Sequence, residues 1–345
     1  MTDARRPAAV TFRPLSAPEE LPLFRRLTYV LDHELADDLA AGRRRPEWLW
    51  VALDGAGRVV ARLAWWTGAP GGPPRVLDIL DFLDGPARPG VAGVPDGLDA
   101  LGRHHGPAAA GDPAEVAVRL LETATARVVP AGAPRPEYTR FVPPDWRTDP
   151  AARAVVAART GVVERTGARL LVERLRLEWR SGAPEPEPTG RLVFRGVRDG
   201  EELVALMARV MDGTLDAHGR ADLASGLSPR AAAEKHYTEE LARYRTPRAW
   251  WRIAELPEGG GPVGFVIPAR NNYHPIIAYL GVLPEHRGRG YIDEILAEGT
   301  RVLAAEGVHR IRAATDLGNV PMARAFARAG YVNFERQVDY VWPAG

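Results

Sequence analysis

Cysteine is absent from all 345 residues. That removes disulfides, thiolate metal sites and a cysteine nucleophile together, and leaves the redox compartment undetermined. Lysine is nearly absent: Lys235 is the sole one among 45 basic residues. With the abundant Ala, Gly and Pro, this points to a GC-rich coding bias rather than an arginine recognition surface. A charge excess is also missing, since 45 basic and 44 acidic residues leave +1. No global field then favours nucleic acid or an anionic membrane, and neither is an expected partner. No apolar run approaches the ~20 residues of a membrane span. The first residues, MTDARRP, lack the apolar stretch of a signal peptide, so a soluble, cytoplasmic protein is expected.

What is present is 46% apolar residues, enough for two cores in a chain of two-domain length. The chain also repeats itself. TFRPLSAPEEL (11–21) and VFRGVRDGEEL (193–203) align without a gap and share Phe12/Phe194, Arg13/Arg195, Glu19/Glu201, Glu20/Glu202 and Leu21/Leu203. Each reads as a short strand, a turn and an amphipathic helix with acidic residues at its N-terminus. EWLWVALDGAGRVVARLAWW and AWWRIAELPEGGGPVGFVIP both read as hairpins around a glycine turn. DPAARAVVAARTGVVER and NVPMARAFARAGYVNFER both read as a helix closed by Gly and followed by a strand. RSGAPEPEPTG (180–190) has no apolar periodicity and reads as a linker. The expected organisation is therefore a duplication: domain 1–180, linker 181–190, domain 191–345.

The copies differ at one turn. In the first, the strand RVLDILDFL runs into a long Gly/Pro-rich loop containing His104 and His105. In the second, the apolar run from Ile276 to Leu283 meets Pro284 and then His286-Arg287-Gly288-Arg289-Gly290. A strand feeding a helix through glycines aims several free N–H groups, backed by the helix dipole, at one spot, which is an anion site. Gly288 and Gly290 permit close approach, while Arg287 and Arg289 add charge that reaches phosphate oxygens. A P-loop is excluded because no Gly-Lys occurs, and the dinucleotide fingerprint because Asp293 stands three after Gly290.

Val282-Leu283-Pro284 followed by Arg287-Gly288-Arg289-Gly290-Tyr291-Ile292, with HRIRAATDLGNVPMARAFARAGY downstream, resembles the acetyl-CoA loop and following elements of GCN5-related N-acetyltransferases (GNATs). The resemblance covers the C-terminal half, and the first half looks like a degenerate copy. It implies an α/β fold of two tandem GNAT domains, each a twisted mixed sheet flanked by helices. It implies acetyl-CoA as acyl donor, no metal, and a primary amine on a small molecule or peptide as acceptor. Leu280, Val282, Arg287, Gly288, Arg289, Gly290, Tyr291, Ile292, Asn319 and Phe326 are the cofactor-binding residues it implies, Asn319 matching the position that commonly meets the pantetheine arm. The backbone N–H of Val282 is the expected oxyanion donor.

Three departures bear on chemistry. Ile292 replaces the loop's last Gly or Ala, and the periodicity assigns it to the core-facing stripe with Ile295 and Leu296. Phe326 stands where members often carry a proton-donating Tyr, and Ile276 and Ala278 stand where a Glu or His base often lies. Positioning and a backbone oxyanion donor still supply much of the rate of acyl transfer. Replacement groups are sought in His274, at the start of the strand, and in Asp216 and His218 of MDGTLDAHGRADL, which forms one wall of the family's acceptor pocket. Competing readings make His274 a hairpin residue, Tyr279 core, Asp316 a helix-start residue, the 216–218 segment a solvated loop, His104-His105 exposed, and the Trp65-Trp66 and Trp250-Trp251 pairs packing residues. The expected function is amine acetylation in a ternary complex. The alternatives are a non-catalytic acyl-CoA sensor or scaffold, favoured by Phe326, Ile276 and Ala278, and a mycothiol-synthase-like acyltransferase. A monomer acting as a pseudo-dimer, or a homodimer, is expected.

Overall fold

The computed structural model describes residues 10–83, 112–183 and 189–343. The loop carrying His104 and His105, and linker residues 184–188, lie outside the described residues. Two compact units emerge: Met1–Leu171 with Gln337–Gly345, and Val172–Arg336. The last residues of the chain thus belong to the first unit.

In the first unit, β1 (Thr11–Pro14) leads through the short α1 (Leu21–Phe24) and α2 (Leu35–Ala40) to the hairpin of β2 (Leu49–Leu53) and β3 (Val59–Trp66). Then come β4 (Val76–Phe82), α3 (Pro113–Val128), β5 (Glu137–Val142) and α4 (Pro150–Arg165). The strands lie in the order β1-β2-β3-β4-β5, antiparallel except for β4 and β5. The core gathers Phe24, Leu63, Trp65, Leu80, Leu120 and Tyr138, each almost fully buried. α3 and α4 both open on Asp-Pro, the carboxylates of Asp112 and Asp149 accepting N–H bonds at the helix start.

The second unit repeats the plan. It begins within β6 (Arg169–Arg180) and continues through β7 (Val193–Gly196), α5 (Gly200–Val210), α6 (Ala217–Ala224), α7 (Pro229–Glu239) and the hairpin of β8 (Arg252–Glu255) and β9 (Pro262–Arg270). β10 (Pro275–Val282), α8 (Tyr291–Ala305), β11 (Arg310–Asp316), α9 (Val320–Arg328) and the first half of β12 (Val332–Val341) complete it. Its strand order is β6-β11-β10-β9-β8-β7, with β10 and β11 parallel. One face packs on α8 and α9 around Ile277, Ile295, Leu296 and Phe326, the other on α5 and α7 around Leu203, Met207, Phe265 and Ile267. α8 sits tightly on β9, because a Cβ on Gly299 would come within 2.5 Å of Val266.

The repeat visible in the sequence has a physical purpose. Arg13 donates two hydrogen bonds of 2.8 Å to Glu20 in the first unit. Arg195 does the same to Glu202 at 2.7 and 3.1 Å in the second. Each fork joins the first strand to its first helix. Both hairpins form as expected, residues 259–261 make the turn of the second, and Trp65 and Trp251 are core residues. No helix among the described residues is long and apolar enough to cross a membrane.

Candidate functional site

The end of β10 is open on one side. Leu283 donates its N–H to Val263 of β9 at 2.8 Å. Alternation along an antiparallel strand then turns the N–H and C=O of Val282 and Leu280 away from β9, toward β11. Yet β11 pairs with β10 at Ile276↔Arg312 and diverges beyond it. The amide of Val282 therefore faces a gap. A register shift between Ile277 and Tyr279 also alters the faces of β10. Ala278 and Tyr279 both pack toward α5, whereas Ile277, Leu280 and Val282 pack toward α8. Simple parity would not place them so.

The glycine loop meets α8 at the same end. Gly288 and Gly290 both have φ +75°, and Gly290 is the N-cap residue of α8. Such φ values suit glycine because it lacks a Cβ. The amides of residues 288–292 have no acceptor among the described residues, as befits a loop meeting a helix start. The acids of the first turn would repel an anion, but both are paired: Asp293 with Arg328 at 2.6 Å, Glu294 with Arg191 at 2.8 Å. Arg191 also donates to the carbonyls of Arg289 (3.0 Å) and Gly290 (3.4 Å) and lies 5.0 Å from the Tyr291 ring. Sequence reasoning missed Arg191, because nothing local links it to a loop 98 residues on.

Arg287 has a different job from the one expected. Its Nε donates to the carbonyl of Val282 (3.1 Å), and its two terminal nitrogens to those of Asp212 (2.6 Å) and Val210 (2.7 Å). It braces the α5–α6 connection against the end of β10, leaving Arg289 as the loop guanidinium available to an anion. Ile292 is half-buried and stands outside the core cluster, which takes Ile295 and Leu296 from α8. The expected core-facing role falls to its neighbours.

On the α5 side of the gap, titratable groups converge. Asp216 caps α6, accepting the N–H of Gly219 at 2.7 Å. Buried Asp316, at the end of β11, accepts the N–H of Ala217 at 2.6 Å and lies 3.2 Å from Arg174. Burial raises the Asp316 carboxyl, Arg174 opposes this, Asp216 reinforces it, and His218 lies close enough to lower it. Tyr279 packs at a tilt against the rings of His236 (4.7 Å between ring centres) and Phe265 (5.3 Å). Its hydroxyl has no hydrogen-bond partner among the described residues, and burial followed by the Asp216 charge holds the phenol well above its ordinary range. Asp216, His218, Asp316 and Tyr279 thus form one neighbourhood, which the sequence suggested for the first two.

Asn319 caps α9, accepting the N–H of Met322 at 3.3 Å, which leaves its amide N–H₂ to donate. Phe326 is fully buried and meets Tyr331 edge-on at 5.0 Å, so its ring fills core. His274 is not brought to the others. It precedes β10, about 25 Å from Val282 at ~3.3 Å per strand residue. There burial, reinforced by Arg312, Arg310 and Arg176, pushes its imidazole down to about 4.

Residues 220–331 match the family model described as Acetyltransferase (GNAT) family. Among solved structures, a GCN5-related N-acetyltransferase from Sphaerobacter thermophilus aligns over 96% of this chain and 94% of its own, with TM-score 0.55 and 17% identity. A GCN5-related glucosamine N-acetyltransferase region of a fungal multi-domain GH3 β-N-acetylglucosaminidase aligns over 98% of this chain and 39% of its own, with TM-score 0.54 and 14% identity. At such identities the likeness is one of fold. No curated protein matches the sequence.

Proposed function

We propose, from the chain's membership of the GNAT family, that its second unit binds acetyl-CoA and transfers the acetyl group to a cationic amine. The observation that carries this is the coincidence of two unsatisfied donor sets at one end of the unit. The loop amides of residues 288–292 suit a pyrophosphate. The Val282 amide, facing the gap beside β10, suits the thioester oxygen. The pantetheine arm would run along the exposed edge of β10, making strand-like bonds with Leu280 and meeting Val282 through its amide alone, and the Asn319 amide would donate to it.

Acetyl transfer needs a neutral amine to attack the thioester carbon. The carbonyl oxygen gains charge, held by the Val282 N–H, and collapse expels the CoA thiolate, which takes a proton. Asp216 and Asp316 attract an ammonium group and offer a carboxylate to receive its proton. Tyr279, kept protonated by burial and Asp216, supplies an O–H beside these carboxylates, whereas Phe326, on the opposite face of the sheet, offers none. Arg287 holds the α5–α6 connection, and with it Asp216, against this end of β10. The first unit has no Arg-Gly-x-Gly turn in the sequence after β4 and is assigned a supporting role.

Isothermal titration with acetyl-CoA tests the reading: saturation at one per chain is expected, and absence of saturation by folded protein would overturn it. A second reading, an acyl-CoA-binding protein without turnover, is favoured by buried Phe326. Release of CoA in an amine screen selects the enzyme; binding without release selects the sensor.

A further inference from the structure

A second cationic cleft lies at the far end of the same strands. About 530 Å³ in volume, it is lined by the last residues of β6 and β9, the β9–β10 turn, and the α8–β11 connection, with Arg180, Arg270, His274, His309 and Arg310 on its walls. One carboxylate, Glu178, serves three guanidinium groups: it pairs with Arg180 and lies 2.9 Å from Arg312 and 3.9 Å from Arg310. Arg270 is exposed and has no ion pair among the described residues. Arg312, lying 3.6 Å over the Phe334 ring, has two buried nitrogens without a hydrogen-bond partner. Two further acids do not balance this: Glu335 is 4.0 Å from Arg176, and exposed Glu306, just past α8, is, among the described residues, the one carboxylate lining the cleft, against Arg180, Arg270 and Arg310. Guanidinium groups crowded around too few carboxylates repel one another, and a bound anion relieves that repulsion.

We propose that this cleft binds a small organic anion carrying two acidic groups, phosphate or carboxylate, held between Arg270 on one wall and Arg180 and Arg310 on the other. Tyr273, Pro275 and Val308 offer apolar surface to its carbon skeleton. The cleft adjoins Ile276↔Arg312, the point where β10 and β11 pair before diverging. An anion there ties the two strands together at the root of the gap, which makes it suited to an effector rather than to the acceptor. His274 reports occupancy. Its imidazole has no hydrogen-bond partner among the described residues, and it faces Arg312, Arg310 and Arg176, with Glu178 opposing them and Glu306 on the wall of the same cleft. An anion that offsets those arginines favours the imidazolium, so binding draws a proton onto His274 and strengthens as pH falls.

The test follows the His274 imidazole by NMR in the full chain, its resonance identified by its loss in His274→Gln, during pH titrations with inorganic pyrophosphate or citrate. The expected result is a saturable upward shift of the His274 midpoint by ~1 unit with at least one probe. The probe that answers names the acid. Arg270→Glu/Arg310→Glu, with its circular dichroism unchanged, should lose the shift; Gly290→Glu, which disables the glycine loop, should keep it. No saturable shift in the folded wild type with either probe overturns the proposal. So does a shift that survives in the double variant, or one that vanishes in Gly290→Glu.

Discussion

The same gap opens in both units, and each treats it differently. β4 and β5 pair at Val76↔Glu137 and Leu77↔Tyr138 and then diverge, as β10 and β11 do after Ile276↔Arg312. Leu83 donates to Val60 at 3.0 Å as Leu283 donates to Val263 at 2.8 Å, so Leu80 and Phe82 face their gap as Leu280 and Val282 face theirs. In the first unit, Arg140 reaches from β5 to the carbonyl of Leu80 (3.2 Å) and to Asp81 (3.1 Å). Arg159 takes the carbonyl of Phe82 at 2.9 Å. In the second unit, Gly281 stands where Asp81 does, Arg287 takes the Val282 carbonyl at 3.1 Å, and the Leu280 carbonyl has no partner among the described residues. Side chains of the first unit occupy both gap-facing carbonyls, whereas the second leaves that of Leu280 for a ligand. A strand pair that diverges must satisfy its inner edge somehow, and the two units show the internal and the external solution.

Breaking the internal solution should have the largest effect. Arg140→Met leaves Asp81 and the Leu80 carbonyl short of a partner in a buried setting, and the expected loss is about 3 kcal/mol of stability, read as a lower denaturant midpoint. Since the first unit lacks the Arg-Gly-x-Gly turn, the variant should still bind one acetyl-CoA; a second site appearing on titration would refute the comparison. Attacking the external solution comes next. Gly290→Glu puts a carboxylate into the loop and should weaken acetyl-CoA by at least ~100-fold, about 2.7 kcal/mol, with unchanged circular dichroism. Smaller still, Tyr279→Phe should lower kcat by ~10-fold to 100-fold and leave acetyl-CoA affinity intact. A fall in affinity instead would make Tyr279 a packing residue.

The smallest effect probes what the units share. Arg13 and Arg195 hold the carboxyls of Glu20 and Glu202 at about 2, below the ordinary 4.5. Each carboxyl binds its proton less readily in the folded chain than in the unfolded one. The stability it contributes is therefore complete above about pH 4.5 and drains as pH falls toward 2. Glu20→Gln and Glu202→Gln should each cost about 1 kcal/mol at pH 7 and flatten the acid limb of the stability curve. Equal costs would mark the fork as a common element of both folds. An acid limb unchanged in either variant would remove that pair from the account.

Much of this was legible because it is local. The glycines before α8, the Asp-Pro and Asn caps, the hairpins and the Arg–Glu repeat are short patterns whose geometry follows from backbone chemistry. Other features required contacts far along the chain. Arg287 carries the charge of an anion ligand, yet three carbonyls, one ending α5, one in the α5–α6 connection and one ending β10, take it. His274 lies on the right strand at the wrong end. Asp316 reads as a helix-start residue until Ala217 and Asp216 are seen beside it. The return of residues 337–345 to the first unit has no local signal, because strand pairing is decided by the partner's edge.

By itself, then, the sequence determined the duplication, the kind of each element, and the turn where anionic chemistry belongs, since periodicity and glycine conformations act over a few residues. Only the tertiary structure decided which face Tyr279 presents, because one register shift in β10 moves every following side chain. It also decided which arginines remain free for a ligand, because a guanidinium is committed by whichever carbonyl or carboxylate the fold brings within 3 Å.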